Sequence, residues 1–287
     1  MFGLGVVLYL FLAGLGAGLY LAAYVLGEAF NSKARCPRDM SLLNQKIQVV
    51  VLACMGVAAL FLLTDLGRPE RFMLVFKKLG TSVLSLGALL IVLFSATVAV
   101  HAPVRQSNRT LARSGSRAFG ALIAVLAAGV IVYTGCFLMQ LRAIPFWSSP
   151  LVVALFSVSA ISSGLAMYAL LGAMSLRRRE LPRPVRVALL ADRWFLLAEL
   201  VLLAVFMALM LNDSEASAAS CWRLLTGDPC WAFWFLVVVG LELPFLAGFA
   251  QTHTMSLVLV LECLCVLLGC LALRYCVIEA GVRVFAI

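Results

Sequence analysis

The chain has 287 residues, of which 64% are hydrophobic and only 12% are charged, and its mean hydropathy is +1.09. Soluble domains are roughly half apolar and about a quarter charged, so this composition predicts an integral membrane protein. The net charge of +9 comes largely from short segments beside apolar runs, where basic residues set topology and contact anionic membrane lipid. We therefore expect no nucleic acid partner.

The apolar runs predict an all-α fold with eight transmembrane helices. Each run has about 20 residues, enough for a helix to cross a hydrocarbon core of about 30 Å. Near-equal span lengths and short links suggest two packed four-helix bundles. The predicted spans are 4–28, 44–64, 81–101, 118–141, 150–174, 188–211, 231–249 and 254–276, and the predicted bundles are residues 1–142 and 143–287.

The beginning of the sequence and the distribution of its basic residues predict how these spans are oriented. The first apolar run follows Met1 with no basic segment or clear cleavage site, so we expect the first span to be retained. Most of the 22 Lys and Arg residues flank the odd-numbered loops. Because basic loops stay in the cytoplasm, we predict a multi-pass protein of the cytoplasmic membrane with both termini on the outer side.

The first predicted span contains three closely spaced glycines, Gly14, Gly16 and Gly18. Their spacing superficially resembles a dinucleotide-binding loop, but such a loop follows a strand and opens a helix, whereas these residues lie inside an apolar span. Small residues in a membrane helix allow a neighbouring helix to approach closely. We therefore expect these glycines to pack against other helices.

Charged residues are concentrated in the segment TDLGRPERF, directly after the second span. Pro69 prevents the helix from continuing, and the arginines Arg68 and Arg71 have Asp65 and Glu70 as potential partners. One interpretation is a helix end with interfacial anchors. The density of charge equally suggests a surface that docks a partner or binds a polar head group.

Two tyrosines are predicted to lie at similar depth on the outer side. Tyr133 lies well inside the fourth span, deeper than an interfacial aromatic residue, and Tyr9 lies inside the first span. A buried tyrosine hydroxyl needs a hydrogen-bond partner. With Asp65 they would give an apolar pocket a few convergent polar groups, which suits a lipid-soluble quinone.

Acidic residues recur in the last three predicted spans. Glu199 lies in the sixth span, Glu242 in the seventh and Glu262 in the eighth, while Asp192 lies at the inner mouth of the sixth. Ionisable groups inside a bilayer are costly and commonly functional. Each acid is either protonated and hydrogen-bonded within the fold, or part of a path for protons.

The cysteine and histidine spacing does not predict a metal site. The nine cysteines show no Cys-x-x-Cys pair, so we expect no zinc site and no iron–sulfur cluster within the protein. His101 and His253 lie at span ends, so we expect no haem. Cys221 and Cys230 share one predicted outer loop, where a disulfide is chemically allowed.

These motifs together resemble the NrfD/PsrC family, the quinone-binding membrane subunits of molybdenum and multihaem respiratory enzymes, with polysulfide reductase as the reference type. The resemblance covers essentially the whole sequence, and its most specific part is the string DLGRP that begins at Asp65. It also includes the glycine-rich first span, Arg71-Phe72, Tyr133-Thr134-Gly135 and Pro145-Phe146-Trp147.

The resemblance implies an anchor of eight helices without haem that takes electrons from quinol, usually menaquinol, near the outer face. It also implies a docked ferredoxin-like subunit with four iron–sulfur clusters, which feeds a molybdenum-type or multihaem catalytic subunit. The expected catalytic and quinone-binding residues are Tyr133, Asp65 and Arg68, with Tyr9 and Thr134 also at the quinone, and the expected docking residues are Glu70, Arg71 and Trp147. Polysulfide reductase has a quinone-binding histidine near the position of Tyr9.

Two other functions compete with this interpretation. The acids Glu199, Glu242 and Glu262 would also suit a proton channel or a secondary transporter. Transporters commonly have broken helices at matching positions in two halves, whereas Pro244 interrupts only the second half here. The other alternative is a passive anchor that tethers a soluble enzyme without quinone chemistry.

Overall fold

A computed structural model describes residues 3–30, 37–65, 83–106, 112–140, 144–175, 181–250 and 257–281. These residues form helices and contain no strand, which confirms the predicted all-helical class for the described part of the protein. The helices are α1 Leu4–Phe30, α2 Pro37–Asp65, α3 Val83–Gln106, α4 Ala112–Met139, α5 Pro150–Ser175, α6 Arg183–Asp213, α7 Glu215–Thr226, α8 Cys230–Phe235, α9 Leu243–Ala250 and α10 Leu257–Ala280. A 3-10 turn, Pro145–Trp147, precedes α5.

Within these described ranges, seven helical stretches are long and apolar enough to cross a membrane. They correspond to every predicted span except the third, for which the apolar part of α3, Leu86–His101, is shorter than the others. The protein is therefore a multi-pass membrane protein. The eighth crossing, the division into two bundles and the side of the membrane on which the termini lie remain predictions.

The predicted loop 212–230 contains a helix, which is a difference from the sequence-based expectation. Ser214 caps this helix, α7, because its hydroxyl oxygen accepts a hydrogen bond from the backbone N–H of Ser217 at 3.2 Å. The helix ends at Gly227, whose N–H donates to the carbonyl of Arg223. The short amphipathic pattern of α7 is too brief and too polar for a membrane span, so composition alone made it resemble a loop.

Helix α1 lies at the centre of the molecule and contacts α2, α4, α5, α6 and α10. A Cβ atom on Gly18 would overlap the backbone of Ala160 in α5, and one on Gly16 would lie 2.8 Å from the Met55 side chain of α2. Close approach through small residues is thereby confirmed. Because α1 also contacts helices from the second predicted bundle, the two halves share an extensive interface.

The seventh span is not a regular α-helix. Between α8 and α9 the backbone forms a π-helical segment, Leu236–Glu242, which packs through Gly240 on Gly269 of α10. Pro244 follows two residues later and has no N–H to donate to the preceding turn, so the wide π turn accommodates it. This irregular turn rotates the side chains of the span relative to a straight helix.

One end of the helix bundle, which we call the tyrosine end, contains the start of α1 and the end of α4. It also contains the end of α10, because the Trp147 indole N–H donates to the carbonyl of Val277 at 2.7 Å in the turn between α4 and α5. The start of α4 lies at the opposite end, where Arg117 pairs with Glu28 at 3.4 Å. Antiparallel packing of α1 and α2 brings Asp65, the last residue of α2, to the tyrosine end.

Candidate functional site

A pair of buried tyrosines joins α1 to α4. The Tyr9 hydroxyl donates to the Tyr133 hydroxyl at 3.4 Å, and the two side chains are 1% and 3% exposed. Hydrogen bonds between hydroxyls are commonly about 2.8 Å long, so this one is weak. Two hydroxyls thus meet in apolar surroundings with capacity to bind a further polar atom.

Helix α3 completes this tyrosine site through Gly87. The aromatic ring of Tyr133 lies directly on Gly87, so that a Cβ atom there would overlap the ring. Phe137, one turn along α4, has its ring centroid 6.3 Å from that of Tyr133. The orientation of the Tyr133 ring therefore depends on the absence of a side chain in α3.

The remaining residues expected at the quinone are placed less directly. Thr134 is fully buried, and its hydroxyl donates to the carbonyl of Ile131 in the same helix at 2.7 Å. Its proton is therefore used within α4. Asp65 has a described backbone only, and Arg68, Glu70 and Arg71 lie outside the described residues.

Trp147 is not available as a docking residue, which corrects the expectation from sequence. Its side chain is 4% exposed, and its indole is bonded to Val277 and lies 2.7 Å from the position of a Cβ atom on Gly281. A tryptophan of a polar loop is easily mistaken for a surface anchor. Here the short turn folds inward and fastens the start of α5 to the end of α10.

A second polar centre surrounds Arg274, a fully buried residue of α10. Its Nε donates to the carbonyl of Leu10 in α1 at 3.3 Å. Its Nη1 donates to the Ser159 hydroxyl of α5 at 3.2 Å and to the carbonyl of Cys270 at 2.7 Å. One guanidinium thus connects three membrane helices.

Aromatic rings and a glycine enclose this guanidinium. Its central carbon lies 5.7 Å from the ring centroid of Phe11 and 5.5 Å from that of Phe156, within the range of cation–π attraction. A Cβ atom on Gly14 would lie 2.9 Å from Nη2. Nη2 has no hydrogen-bond partner among the described residues.

Three of the four predicted acids join Arg274 in one buried ionic cluster between α5, α6 and α10. Glu199 is fully buried and interacts electrostatically with Arg274. Asp192 accepts a hydrogen bond from Ser162 at 2.7 Å and interacts with both Glu199 and Glu262. The cluster therefore extends from the Arg274 guanidinium along α6 and reaches Glu262 in α10.

Glu242 does not join this cluster, contrary to the expectation from sequence. It is exposed at the surface of the π-helical segment, whereas Glu262 is 6% exposed and interacts with Arg193. Periodicity alone could not show this, because the π turn changes the direction in which the side chain points.

The structure does not contain the disulfide that the sequence allowed. Cys221 and Cys230 are both free thiols. Cys221 is fully buried on α7, its Sγ lies 3.9 Å from the carbonyl of Met207, and burial raises the pKa of its thiol to about 11. Among the residues that the structure describes, no group of three or more His, Cys, Asp or Glu could hold a metal ion.

Arg274 is the principal residue that sequence reasoning missed. It was counted with the basic residues of the loops, although it lies inside the predicted span 254–276. An arginine within an apolar run was the available signal, because such a residue is rarely tolerated in a membrane unless it is paired.

Comparisons with known proteins agree with the resemblance seen in the motifs. The family model described as "Polysulphide reductase, NrfD" matches residues 1–286. The sequence is 31% identical to Protein NrfD of Escherichia coli (strain K12) over 301 aligned positions, covering 96% of this protein and 93% of that one. It is 28% identical to the C subunit of polysulfide reductase from Wolinella succinogenes, covering 96% of this protein and 92% of that subunit.

Proposed function

This protein belongs to the NrfD family of polysulphide reductase, and from that membership we propose that it is the quinol-oxidising membrane anchor of a respiratory oxidoreductase. We propose that menaquinol is oxidised at the Tyr9–Tyr133 pair, close to Asp65 and Arg68. The observation that carries this proposal is the meeting of two buried hydroxyls from different helices. The proposed location is the cytoplasmic membrane, with the tyrosine end on the outer side.

The chemistry of quinol explains why such a pair suits it. Oxidation of quinol releases two electrons and two protons, so the protein must orient the ring and provide a route for protons. A carbonyl oxygen has two lone pairs and accepts two hydrogen bonds. The hydroxyls of Tyr9 and Tyr133 are close enough to serve one oxygen together, and their own bond is weak enough to yield.

The electrons require a partner. The described residues offer no metal-binding group, and the relative from Wolinella succinogenes is named as one component of a reductase. We propose that a ferredoxin-like subunit with four iron–sulfur clusters docks at the tyrosine end near Glu70 and Arg71. It would pass electrons to a catalytic subunit, of the molybdenum type or multihaem.

A second candidate activity, proton conduction, is favoured by the buried ionic cluster. Asp192, Glu199 and Glu262 interact with one another across the interior of the second half. Burying three acids near one another is unfavourable unless they are paired or exchange protons. We propose that this cluster carries protons during quinol turnover. A transporter without redox partners and a passive anchor remain the alternatives to be excluded.

The deciding experiment uses the complete complex in its membrane. Tyr133→Phe removes one hydroxyl and should reduce quinol-dependent turnover about 10-fold to 100-fold, the effect of one lost buried hydrogen bond, while the complex still co-purifies. Tyr168→Phe is the matched control, because Tyr168 is also 3% exposed but belongs to α5. Normal turnover of the Tyr133 variant would refute the proposed site, and absence of any quinol activity in the wild-type complex would favour a passive anchor.

A further inference from the structure

Arg274 is the least expected buried residue of the molecule. It is fully buried in a helix that crosses the membrane, where a cation is retained only if hydrogen bonds or opposite charges compensate it. Its contacts extend to α1 through Leu10, to α5 through Ser159 and to α6 through the charge of Glu199. None of the steps proposed above for the tyrosine pair uses it.

The contact with α1 lies next to the tyrosine site. Leu10 follows Tyr9 directly, and the guanidinium Nε donates to the Leu10 carbonyl. The same guanidinium is fixed at Ser159 and Cys270, so α1 is fastened to α5 and α10 one residue from Tyr9. A rigid attachment at this point determines where the Tyr9 hydroxyl lies relative to Tyr133.

Gly14 makes this attachment sterically feasible. It lies one turn after Leu10, and a Cβ atom there would be 2.9 Å from Nη2 of Arg274 and 3.2 Å from Cβ of Ala160. Since Ala160 belongs to the α5 backbone region that packs on α1, it has little freedom to move away. A side chain at position 14 would therefore displace the guanidinium from Leu10.

The attachment to the acids is electrostatic. Glu199 is fully buried and interacts with Arg274, and Asp192 interacts in turn with Glu199. When Glu199 gains or loses a proton, the field acting on the guanidinium changes. Because Arg274 also holds Leu10, that change reaches the helix carrying Tyr9.

We propose that Arg274 is a positioning residue for quinol oxidation, which holds the Tyr9 segment of α1 in place and couples it to the charge of Glu199. The proposal rests on the proposed function, since it assumes that Tyr9 and Tyr133 contact quinol. Arg274 acts through Tyr9 and does not itself contact the substrate. Its geometry matters as well as its charge, because three separate acceptors are bound by one planar group.

The first test compares Arg274→Lys with Tyr9→Phe in the complete complex. Lysine keeps the charge but lacks the planar fork, so it should raise the KM for a soluble menaquinol analogue about tenfold. The double variant Arg274→Lys/Tyr9→Phe should be no worse than the more impaired single variant, because both changes disturb one contact. Effects that multiply in the double variant would overturn the proposal.

The second test covers the case in which Arg274→Lys does not assemble. Gly14→Ala leaves the cation in place and only moves it, so it should raise the KM in the same way. Gly16→Ala is the matched control, because its Cβ would meet the flexible end of Met55 at 2.8 Å rather than the guanidinium. Equal KM values for the two glycine variants would overturn the proposal.

The outcomes separate this inference from the proposed function. If Tyr9→Phe and Tyr133→Phe both turn over quinol normally, the proposed function fails and the inference with it. If the tyrosine variants are impaired while Arg274→Lys and Gly14→Ala keep the wild-type KM, the function stands and the role of Arg274 is refuted. Thermal unfolding of each complex distinguishes a loss of stability from a change of KM.

Discussion

The hydroxyl of Tyr9 lies 3.4 Å from the hydroxyl of Tyr133, although the two residues are 124 positions apart in sequence. The pair is closed off by α3, because the Tyr133 ring rests on Gly87. Contact between the first and fourth helices at one depth is the central requirement of a quinol site shared by those helices. The predictions below test the pair, its packing, and the buried residues around it.

Tyr9 should require a hydrogen-bond donor rather than an aromatic ring alone. Tyr9→Phe is expected to reduce quinol turnover about tenfold, because it removes one of the two donors at the site. Tyr9→His retains a donor and should recover most of the activity. The measurement is steady-state oxidation of a menaquinol analogue by the complex, and equal activities of the Phe and His variants would contradict a donor role.

Gly87→Ala should disturb Tyr133 without changing any polar group. The new methyl group would overlap the Tyr133 ring, so we expect a loss of about 1–3 kcal/mol in the free energy of unfolding and weaker binding of a quinol-site inhibitor. Gly56→Ala is the control, because nothing lies within 4 Å of the position of its Cβ atom. Inhibitor titration should leave that variant unchanged, and an unchanged Gly87 variant would argue against the packing described.

Glu199 and Glu242 should differ sharply despite their similar sequence context. Glu199 is fully buried in the ionic cluster, whereas Glu242 is exposed on the π-helical segment. Glu199→Gln is expected to reduce proton movement coupled to quinol turnover by roughly tenfold or more, whereas Glu242→Gln leaves it unchanged. A pH-sensitive dye inside proteoliposomes that contain the complex provides the measurement. Equal proton movement in both variants would remove the cluster from the path.

Cys221 should be chemically inert at neutral pH. Burial raises the pKa of its thiol to about 11, so the reactive thiolate forms only as the pH approaches that value. The protonated thiol is favoured in the folded state, and the associated stabilisation is complete below the ordinary thiol pKa and is lost as the pH rises through about 11. Mass spectrometry after iodoacetamide treatment at pH 7 should show partly exposed Cys230 modified before Cys221. Recovery of a linked peptide containing both residues would contradict the free thiols.

Trp147→Phe should affect stability and leave partner docking intact. The substitution removes the indole N–H that serves the Val277 carbonyl and leaves a buried acceptor unsatisfied, which costs about 1–3 kcal/mol. Thermal unfolding of the purified protein should show this loss, while co-purification of partner subunits is preserved. Loss of the partners from a variant that is still folded would restore Trp147 as a docking residue.

Much of this protein could be predicted from local sequence. Apolar runs located the spans because a helix must present hydrocarbon-like side chains to lipid along its whole length. The tyrosines of the first and fourth spans were correctly expected to come together, since antiparallel helices with short connections bring those depths to the same end. Whether Asp65 and Arg68 join them remains a prediction.

Other features depended on which direction each side chain takes in the folded molecule. Composition could not separate buried Glu199 from exposed Glu242, because both lie in apolar runs and a π turn reorients the second. Nor could it show that Arg274 reaches Leu10 through the space left by Gly14, a contact between residues 264 positions apart. Hydropathy depends on each residue's own chemistry, whereas charge compensation inside a membrane depends on distances between helices, which only the tertiary structure determines.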